Sequence, residues 1–160
     1  MTAEEFAGYA RKYGDTVYRV AFNCCKNAAD AEDILQTVLL KLYRDPTDFQ
    51  SDEHVKRWLI RVAVNEGRKL RCSGWFKRRA PLEEYAGTID FEAPEESELF
   101  LAVMALPEKY RVPLYLYYYE DYPVKEVAAL CGLSESTVQT RLQRARQRLK
   151  AALTQQEEDS

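Results

Sequence analysis

Apolar residues recur at helical spacing along most of the chain, and the segments between them are rich in turn-forming residues. The amino-terminal part predicts two helices, over residues 2–13 and 17–26, because Gly14 interrupts the pattern between them. Thr2 and Glu5 have the spacing of a capping box, which marks the start of the first of these helices. The chain is therefore expected to open with helical structure.

Two further helices are predicted, over residues 30–44 and 52–71. On the first of them the apolar stripe expected to face the core is Ala31, Ile34, Leu35, Val38, Leu39 and Leu42. The opposite face is polar except for Leu40, which is either an isolated exposed residue or the centre of a docking patch. One face of the next helix carries four arginines with no paired acid, and two apolar residues lie among them: Arg57, Arg61, Arg68, Arg71, Ile60 and Val64.

The carboxy-terminal part predicts a helix over residues 95–105, in which Leu99, Val103 and Leu106 are apolar. The Leu- and Tyr-rich run over residues 107–119 has the composition of a strand, but a lone strand would have no pairing partner. A helix is therefore favoured, although Pro113 would remove one of its backbone hydrogen bonds. One helix cannot bury all of these tyrosines, so some of them are expected to face solvent or partners.

A pair of helices joined by a short turn is predicted next. Residues 123–130 predict a short helix that opens with proline, and Gly132 can end it in the left-handed conformation. Ser134 is a good N-cap for the longer helix that follows. Two helices joined by a turn of this length that contains glycine form the helix-turn-helix pattern.

These patterns predict an all-α protein with two small helical domains joined by a flexible linker. The carboxy-terminal domain is expected to be a helix-turn-helix domain of the winged-helix-like kind. The predicted domains cover residues 1–72 and 95–153, the linker covers 73–94, and an acidic tail covers 154–160.

The second helix of the pair has an apolar stripe and an opposite face of Gln, Thr, Ser and Arg with almost no acid. That face and its flanks consist of Ser136, Gln139, Thr140, Arg141, Gln143, Arg144 and Gln147. Such side chains can bond base edges and phosphates in a major groove. The pattern favours DNA recognition over an ordinary solvated face, in which Glu and Lys would be commoner.

The formal net charge of −3 at first argues against a nucleic-acid partner, but the charges are unevenly distributed. Residues 55–80 carry nine Lys or Arg and one Glu, a local charge of +8. Residues 134–150 carry +4, and residues 81–98, between the two basic segments, carry −7. This distribution indicates two contact surfaces separated by a linker. Phe49, in a loop next to the arginine-rich helix, adds an aromatic ring suited to base stacking.

The remaining chemistry of the chain is sparse. The four cysteines form no C-x-x-C pair and the single His54 has no partner at metal-ligand spacing, so no metal or cofactor is expected. Cys24 and Cys131 are expected in the core, while Cys72 lies beside basic residues and is a minor redox candidate. The chain has no secretory signal and no apolar run of about 20 residues, so we expect a cytoplasmic protein without membrane insertion.

Three stretches together resemble the working segments of bacterial sigma factors. ADAEDILQTVLLKLYR resembles the helix that binds core RNA polymerase, and HVKRWLIRVAVNEGRKLRC resembles the helix that melts and reads the −10 promoter element. The stretch over residues 106–150 resembles the domain that reads the −35 element. Their order and the chain length are similar to the extracytoplasmic-function (ECF) group of the sigma-70 family. The resemblance implies a protein that directs transcription initiation and is not itself an enzyme.

The resemblance also implies partners and contact residues. The partners are core RNA polymerase (the beta-prime clamp and the beta flap), promoter DNA and an anti-sigma factor that can hold the protein at the membrane. The polymerase-binding residues are Asp33, Gln36, Thr37, Leu40 and Tyr43. The −10 residues are Phe49, Arg57, Arg61, Asn65, Arg68 and Lys69. The −35 residues are Ser134, Thr137, Gln139, Thr140, Arg141 and Arg144, of which Gln139, Thr140 and Arg144 face bases.

Three other functions are compatible with parts of the chain. A helix-turn-helix regulator that acts without polymerase would explain only the carboxy-terminal domain. An enzyme acting on nucleic acid would lack a metal cluster, a Gly-rich phosphate loop and a nucleophile paired with His54. A helical adaptor would use the tyrosine-rich segment as its binding surface.

Overall fold

The computed structural model describes residues 1–71 and 94–159, with side chains over 1–70 and 98–155. These ranges are helical and contain no β-strand, which confirms the all-α class and leaves the helix-turn-helix without a β wing in the described part. The chain divides into two compact units, Met1–Arg79 and Ala80–Ser160.

Some predicted features lie outside the described residues. These are Cys72, the Arg71 side chain and the predicted linker up to residue 93. The last residue of that linker, Pro94, begins a helix instead. The predicted domain boundaries therefore stay predictions.

The first unit contains three helices, α1 (Ala3–Cys25), α2 (Ala28–Arg44) and α3 (Asp52–Arg71). Each of the three packs on the other two. The capping box at the start of α1 is confirmed. The Glu5 N–H donates to Thr2 Oγ1 at 3.1 Å, and the Thr2 N–H donates to Glu5 Oε2 at 3.1 Å.

The predicted break at Gly14 is wrong, because α1 continues through this residue. A glycine inside a helix costs about 1 kcal/mol relative to alanine, which is too little to end a helix with a long buried face. That face runs across Gly14 from Tyr13 to Val17 and Val20, all of which are buried. Tertiary packing therefore outweighs the local preference for a turn.

Close packing of α1 against α3 depends on Gly67. A Cβ atom at this position would lie 2.6 Å from both Cβ and Sγ of the buried Cys24. The prediction that Ile60 and Val64 lie on the arginine face of α3 is wrong, since they are 0% and 2% exposed. The buried face of α3 is wide because the helix contacts both α1 and α2.

The second unit contains four described helices: α4 (Pro94–Met104), α5 (Glu108–Tyr118), α6 (Val124–Cys131) and α7 (Glu135–Asp159). Helix α7 continues through most of the segment expected to be an acidic tail. Among the apolar residues of α4, Leu99 is 45% exposed, while Phe100 and Met104 are buried. Leu99, Phe100 and Leu101 are all apolar, so periodicity alone does not select the buried face.

The tyrosine-rich segment is helix α5, as predicted, and it tolerates Pro113 in its interior. Arg111, only 2% exposed, donates from its Nη1 to the Leu106 carbonyl and ties the turn after α4 to α5. Tyr118 and Tyr119 are 51% and 57% exposed, which confirms that part of the tyrosine set faces solvent.

The helix-turn-helix geometry is confirmed in α6 and α7. Gly132 has φ 66° and ψ 39° and forms the left-handed cap after α6. The Thr137 N–H donates to Ser134 Oγ at 3.1 Å, which is the N-cap bond of α7. The stripe Val138, Leu142 and Ala145 is buried, so the polar residues of α7 face outward.

Candidate nucleic-acid interface

One exposed strip of α2 carries the residues predicted to dock on polymerase. Asp33 and Gln36 are exposed, Thr37 is half-buried, and Leu40 and Tyr43 are 49% and 53% exposed. These residues follow steps of three and four, so the helix brings them to one face. A large exposed Leu and Tyr beside polar residues is the composition of an interface core with a polar rim.

An aromatic contact from α1 extends this strip. The ring of half-buried Phe6 meets that of Tyr43 edge to face, with centroids 5.2 Å apart. Phe6 therefore supports one side of the Tyr43 ring. The signal that identifies it is the three-dimensional contact, because the two residues are distant in the sequence.

The loop before α3 is held by hydrogen bonds of its own. Asp45 Oδ1 accepts from the Thr47 N–H at 2.8 Å, and hydrogen bonding from Thr47 lowers the pKa of that carboxyl. At the other end of the loop, the Gln50 N–H donates to His54 Nδ1 at 3.1 Å. The His54 N–H donates to Ser51 Oγ at 3.1 Å, which caps the first turn of α3.

Phe49 lies in this loop with its ring against the start of α3. Its centroid is 5.0 Å from that of His54 and 5.8 Å from that of Trp58, both in edge-to-face arrangement. The residue is half-buried. The sequence assigned Phe49 to a stacking or wall position, and the geometry is compatible with a wall.

The predicted −10 residues of α3 lie along one side of the helix. Arg57, Arg61, Asn65 and Lys69 follow each other at intervals of four, and all are exposed, while Arg68 is half-buried. The helix therefore brings together an amide and several cations in one line, with Phe49 near its amino-terminal end.

Two of these cations form ion pairs with acidic residues. The expectation that the arginines of this face have no paired acid is therefore wrong for Arg57. Arg57 Nε is 3.4 Å from Glu53 Oε1, one turn earlier on α3. Lys69 Nζ is 3.2 Å from Glu66 Oε1, and the same oxygen accepts a hydrogen bond from Lys41 on α2. Part of the positive charge counted in this segment is therefore neutralised inside the unit.

Glu66 is the centre of this ion-pair group. Its side chain is 15% exposed, whereas the Lys41 and Lys69 side chains are 46% and 67% exposed. Burial raises the pKa of the Glu66 carboxyl, but the hydrogen bonds from Lys41 and Lys69 lower it more strongly, so it lies below its ordinary value. The hydrogen bond to Glu66 raises the pKa of Lys41.

The predicted −35 residues of α7 divide into two groups. Ser134 and Thr137 use their hydroxyl groups on each other, since Ser134 Oγ donates to Thr137 Oγ1 at 2.8 Å. Gln139, Thr140 and Arg144 are exposed, and Arg141 is half-buried. Ser134 and Thr137 therefore stabilise the start of α7, whereas Gln139, Thr140 and Arg144 form the outward group, which faces solvent.

A cleft of about 320 Å³ lies beside the outward group. Its lining consists of Lys109, Tyr110, Ser136, Thr137, Thr140, Arg141 and Arg144, with no Asp or Glu. Gln139 and Ser134 are not part of that lining. A cleft lined by hydroxyl groups and cations is suited to an anionic ligand such as a phosphate backbone.

The sequence did not single out Lys109 and Tyr110 as site residues. Both come from the first turn of α5, outside the helix pair, and α5 packs directly on α7. No motif in the chain marks them, because their role depends on the packing of two helices that are separated by α6.

Two family models match the chain, one over the first unit and one over the second. The Sigma-70 region 2 model matches residues 9–76, and the Sigma-70, region 4 model matches residues 97–149. The RNA polymerase sigma factor SigV of Bacillus subtilis is 31% identical over 150 residues, which cover 88% of this chain and 86% of SigV. The ECF RNA polymerase sigma factor SigM of Mycobacterium tuberculosis is 30% identical over 146 residues, covering 87% of this chain and 72% of SigM.

The chain belongs to the ECF sigma factors of the sigma-70 family. It directs transcription initiation at promoters and does so with core RNA polymerase and promoter DNA as partners. The sequence-based identification of the family is therefore confirmed.

Solved structures show the same fold. The sigma factor RpoE in complex with the anti-sigma factor NepR from Bartonella quintana has a TM-score of 0.70 and 20% identity, over 95% of this chain and 98% of RpoE. CnrH in complex with the cytosolic domain of CnrY has a TM-score of 0.70 and 23% identity, over 96% of this chain and 90% of CnrH.

No described helix is long and apolar enough to cross a membrane. No group of three or more His, Cys, Asp or Glu in the described part is arranged to hold a metal ion.

Proposed function

We propose that this ECF sigma factor divides its work among three surfaces, each assigned to specific residues. The outer strip of α2 docks on core polymerase, the Phe49 loop with α3 holds the opened −10 element, and the cleft side of α7 reads the −35 element. The observation that carries the proposal is the acid-free cleft beside the exposed Thr140 and Arg144. It supplies cations and hydroxyl groups where a DNA backbone and base edges would lie.

The proposed polymerase contact centres on Leu40 and Tyr43, with Asp33, Gln36 and Thr37 around them. Its support is the exposure of two large apolar side chains within a polar strip. The partners on the enzyme are the beta-prime clamp for this strip and the beta flap for the second unit. Polymerase tethering lets two DNA contacts of modest strength act together.

For the −10 element, we assign Phe49 to the wall of a pocket for an unstacked base and Asn65 to reading that base. Arg57, Arg61, Arg68 and Lys69 hold phosphates. Unstacking a base costs a few kcal/mol, and contacts with a pocket and a basic helix can offset it. The protein acts by binding, and no catalytic step is assigned to it.

For the −35 element, Gln139, Thr140 and Arg144 face bases. Ser134, Thr137 and Arg141 lie on the backbone side. Gln139 favours adenine, whereas an Arg at the same place would favour guanine.

An anti-sigma protein is a further proposed partner. The support is that the structural relatives RpoE and CnrH were solved with the anti-sigma factor NepR and with the cytosolic domain of CnrY. We propose that such a protein covers the polymerase-binding strip in the cytoplasm, and that a membrane-anchored one would hold the sigma factor at the membrane.

The proposal is tested by in vitro transcription with core RNA polymerase on genomic fragments, followed by start-site mapping. The chain should direct specific starts, and a scrambled-sequence control should not. A footprint on the same DNA without core polymerase would instead support the alternative, a helix-turn-helix regulator that acts alone. The mapped starts would also give the promoter sequence.

Two variants separate the surfaces. Asn65→Ala should impair promoter opening, followed by permanganate reactivity of unpaired thymines, more than it impairs polymerase binding. Arg144→Ala should weaken the −35 footprint and leave polymerase binding unchanged. Equal loss of both activities in either variant would indicate a folding defect and remove that residue from the proposed set.

A further inference from the structure

The loop before α3 is closed by the side chain of His54. This residue lies in the first turn of α3 and is half-buried. Its Nδ1 accepts the N–H of Gln50 at 3.1 Å, and its own backbone N–H donates to Ser51 Oγ at 3.1 Å. A backbone N–H can only donate, so Nδ1 is unprotonated and the neutral ring carries its hydrogen on Nε2. The imidazole therefore holds the loop backbone at the residue that follows Phe49.

The same imidazole ring also contacts the proposed wall of the base pocket. The ring centroids of Phe49 and His54 are 5.0 Å apart, with an angle of 70° between the ring planes. An edge-to-face pair of this kind is attractive beyond the area that it buries. The Phe49 ring also meets Trp58, at 5.8 Å and 81°. His54 thus holds the Phe49 ring in two ways, by direct contact and through the backbone of the next residue.

We propose that His54 is a positioning residue for recognition of the −10 element, which holds the Phe49 ring at the place where an unstacked base must fit. The proposal rests on the wall role of Phe49 given above. A loop side chain that moves freely must be ordered when the base enters, and this ordering costs conformational entropy. A ring that is fixed before DNA binds avoids that cost. It also selects among bases, because a fixed wall excludes shapes that a mobile one would accommodate.

A role limited to stability makes a different prediction. If His54 only stabilised the start of α3, its loss would weaken binding to all −10 sequences equally. His54→Phe retains an aromatic ring beside Phe49 but removes the Nδ1 acceptor. His54→Asn does the converse, since an amide oxygen near the place of Nδ1 can accept the Gln50 N–H. Gln50→Ala is the matched control, because it removes the 2.9 Å bond from Gln50 Nε2 to the Asp48 carbonyl in the same loop and keeps the backbone N–H.

The experiment uses the full chain bound to core polymerase, on promoters carrying all four base pairs at each −10 position. Phe49→Ala should lower discrimination at one position by about five- to 100-fold, as expected for the loss of one aromatic contact with a base. His54→Phe should lower it at that same position by about two- to tenfold, as expected for one hydrogen bond, and add nothing in the Phe49→Ala background. His54→Asn should lose less than His54→Ala, which has neither contact. Gln50→Ala should leave discrimination at every position unchanged.

Each contrary result has a distinct meaning. Unchanged discrimination in His54→Phe, or an effect that multiplies with that of Phe49→Ala, overturns the positioning role while the wall role of Phe49 stands. An equal loss in Gln50→Ala overturns it too, because the loop as a whole would then matter rather than His54. Equal losses in His54→Asn and His54→Ala do the same, because the acceptor would then contribute nothing. No effect of Phe49→Ala at any −10 position overturns both roles.

A second measurement needs neither DNA nor a variant. His54 is the only histidine of the chain, so its ring nitrogens can be assigned directly by nitrogen NMR. In the free wild-type chain, Nδ1 should be the unprotonated nitrogen and Nε2 the protonated one, and the Gln50 amide should exchange slowly with solvent. A hydrogen on Nδ1 of the neutral ring, or a Gln50 amide without protection, contradicts the proposal even if no His54 variant folds.

Discussion

The two basic helices hold their cations in different ways. On α3, Lys69 is paired with the carboxylate of Glu66, which lies three residues earlier. On α7, Arg148 lies over the ring of Tyr110, which belongs to another helix of the same unit. A carboxylate cancels the charge of its partner, whereas an aromatic ring orients a cation and leaves its charge in place.

The difference changes how the charge of the sequence should be interpreted. The segment over residues 55–80, of which α3 forms the part up to Arg71, carries +8, and the segment over 134–150 carries +4. From charge alone the first segment is the stronger phosphate binder. Ion pairs to Glu53 and Glu66 reduce this advantage, and DNA must compete with them. A second arginine of α7 also has a tyrosine as its partner, because Arg146 Nη1 donates to Tyr118 Oη at 2.7 Å. The cations of α7 carry a smaller total charge, but they are more available to DNA phosphates.

The largest expected effect comes from removing the α3 surface without touching the α7 surface. Gly67→Ala puts a Cβ atom 2.6 Å from Cys24 Cβ and Sγ, so α1 and α3 must separate. Overpacking costs about 1–3 kcal/mol, and we expect a value near the upper end because the atoms of Cys24 are close to its backbone. Hydrogen exchange should show lost protection in α1 to α3 and unchanged protection in α7.

Two matched controls accompany this variant. At Gly8 and Gly14, which lie inside α1, an added Cβ atom meets nothing within 4 Å. Alanine there should stabilise α1 by about 0.5–1 kcal/mol through helix propensity. A Gly67→Ala variant as stable as these two would show that the α1–α3 contact is not tight.

A smaller effect is expected from removing the N-cap serine of α3 or of α7. Ser134 caps α7 through the Thr137 N–H, and Ser51 caps α3 through the His54 N–H, both at 3.1 Å. Replacement of either serine by alanine should lower the free energy of unfolding of its own unit by about 1 kcal/mol in urea titrations. Only the Ser134 variant should reduce −35 binding; reduction by both would mean that the units do not act separately.

The difference between the two helices can be reduced by freeing a cation of α3 from its acidic partner. Glu66→Gln releases Lys69 from its acid, so DNA binding should strengthen at low salt, and the slope of log K against log salt should steepen by about 1. Stability should fall by less than about 1 kcal/mol, because the Lys41 and Lys69 side chains are 46% and 67% exposed and solvent screens their ion pairs. Glu32→Gln on α2, where Glu32 is exposed, makes the same change in net charge and should leave the slope unaltered. Equal slopes in the two variants would contradict the competition between Glu66 and phosphate.

The smallest expected effect is a pH dependence of the same group. The folded-state pKa of Glu66 lies below its ordinary value of 4.5, so the unfolded chain takes up the proton first as pH falls. The contribution of Glu66 is therefore fully present above about pH 4.5 and is lost as pH falls through the folded pKa. The stability difference between wild type and Glu66→Gln, measured by urea unfolding at several pH values, should shrink below pH 4.5. A difference that grows toward low pH would contradict this sign.

Much of the fold follows from local sequence signals. The Thr2 capping box, the left-handed Gly132 and the Ser134 cap each depend on residues within a few positions of one another, and all three are found. The polar face of α7 is likewise a matter of helical spacing. The family resemblance rests on such local stretches taken in order.

The wrong predictions concern positions whose burial depends on packing against a second helix. Gly14 favours a break locally, but the buried face of α1 continues across it. Ile60 and Val64 were assigned to the outer face, yet α3 is covered on two sides.

The sequence by itself determined the helices, their order, the polar face of α7 and membership of the ECF sigma factors, because these depend on periodicity and on short contiguous motifs. Tertiary structure alone decided which cations have a partner on another helix. Glu66 meets Lys41, which is 25 residues away, and Tyr110 meets Arg148 across two helices. Such pairs depend on how helices pack, and electrostatic strength depends on distance and burial, neither of which a residue count contains.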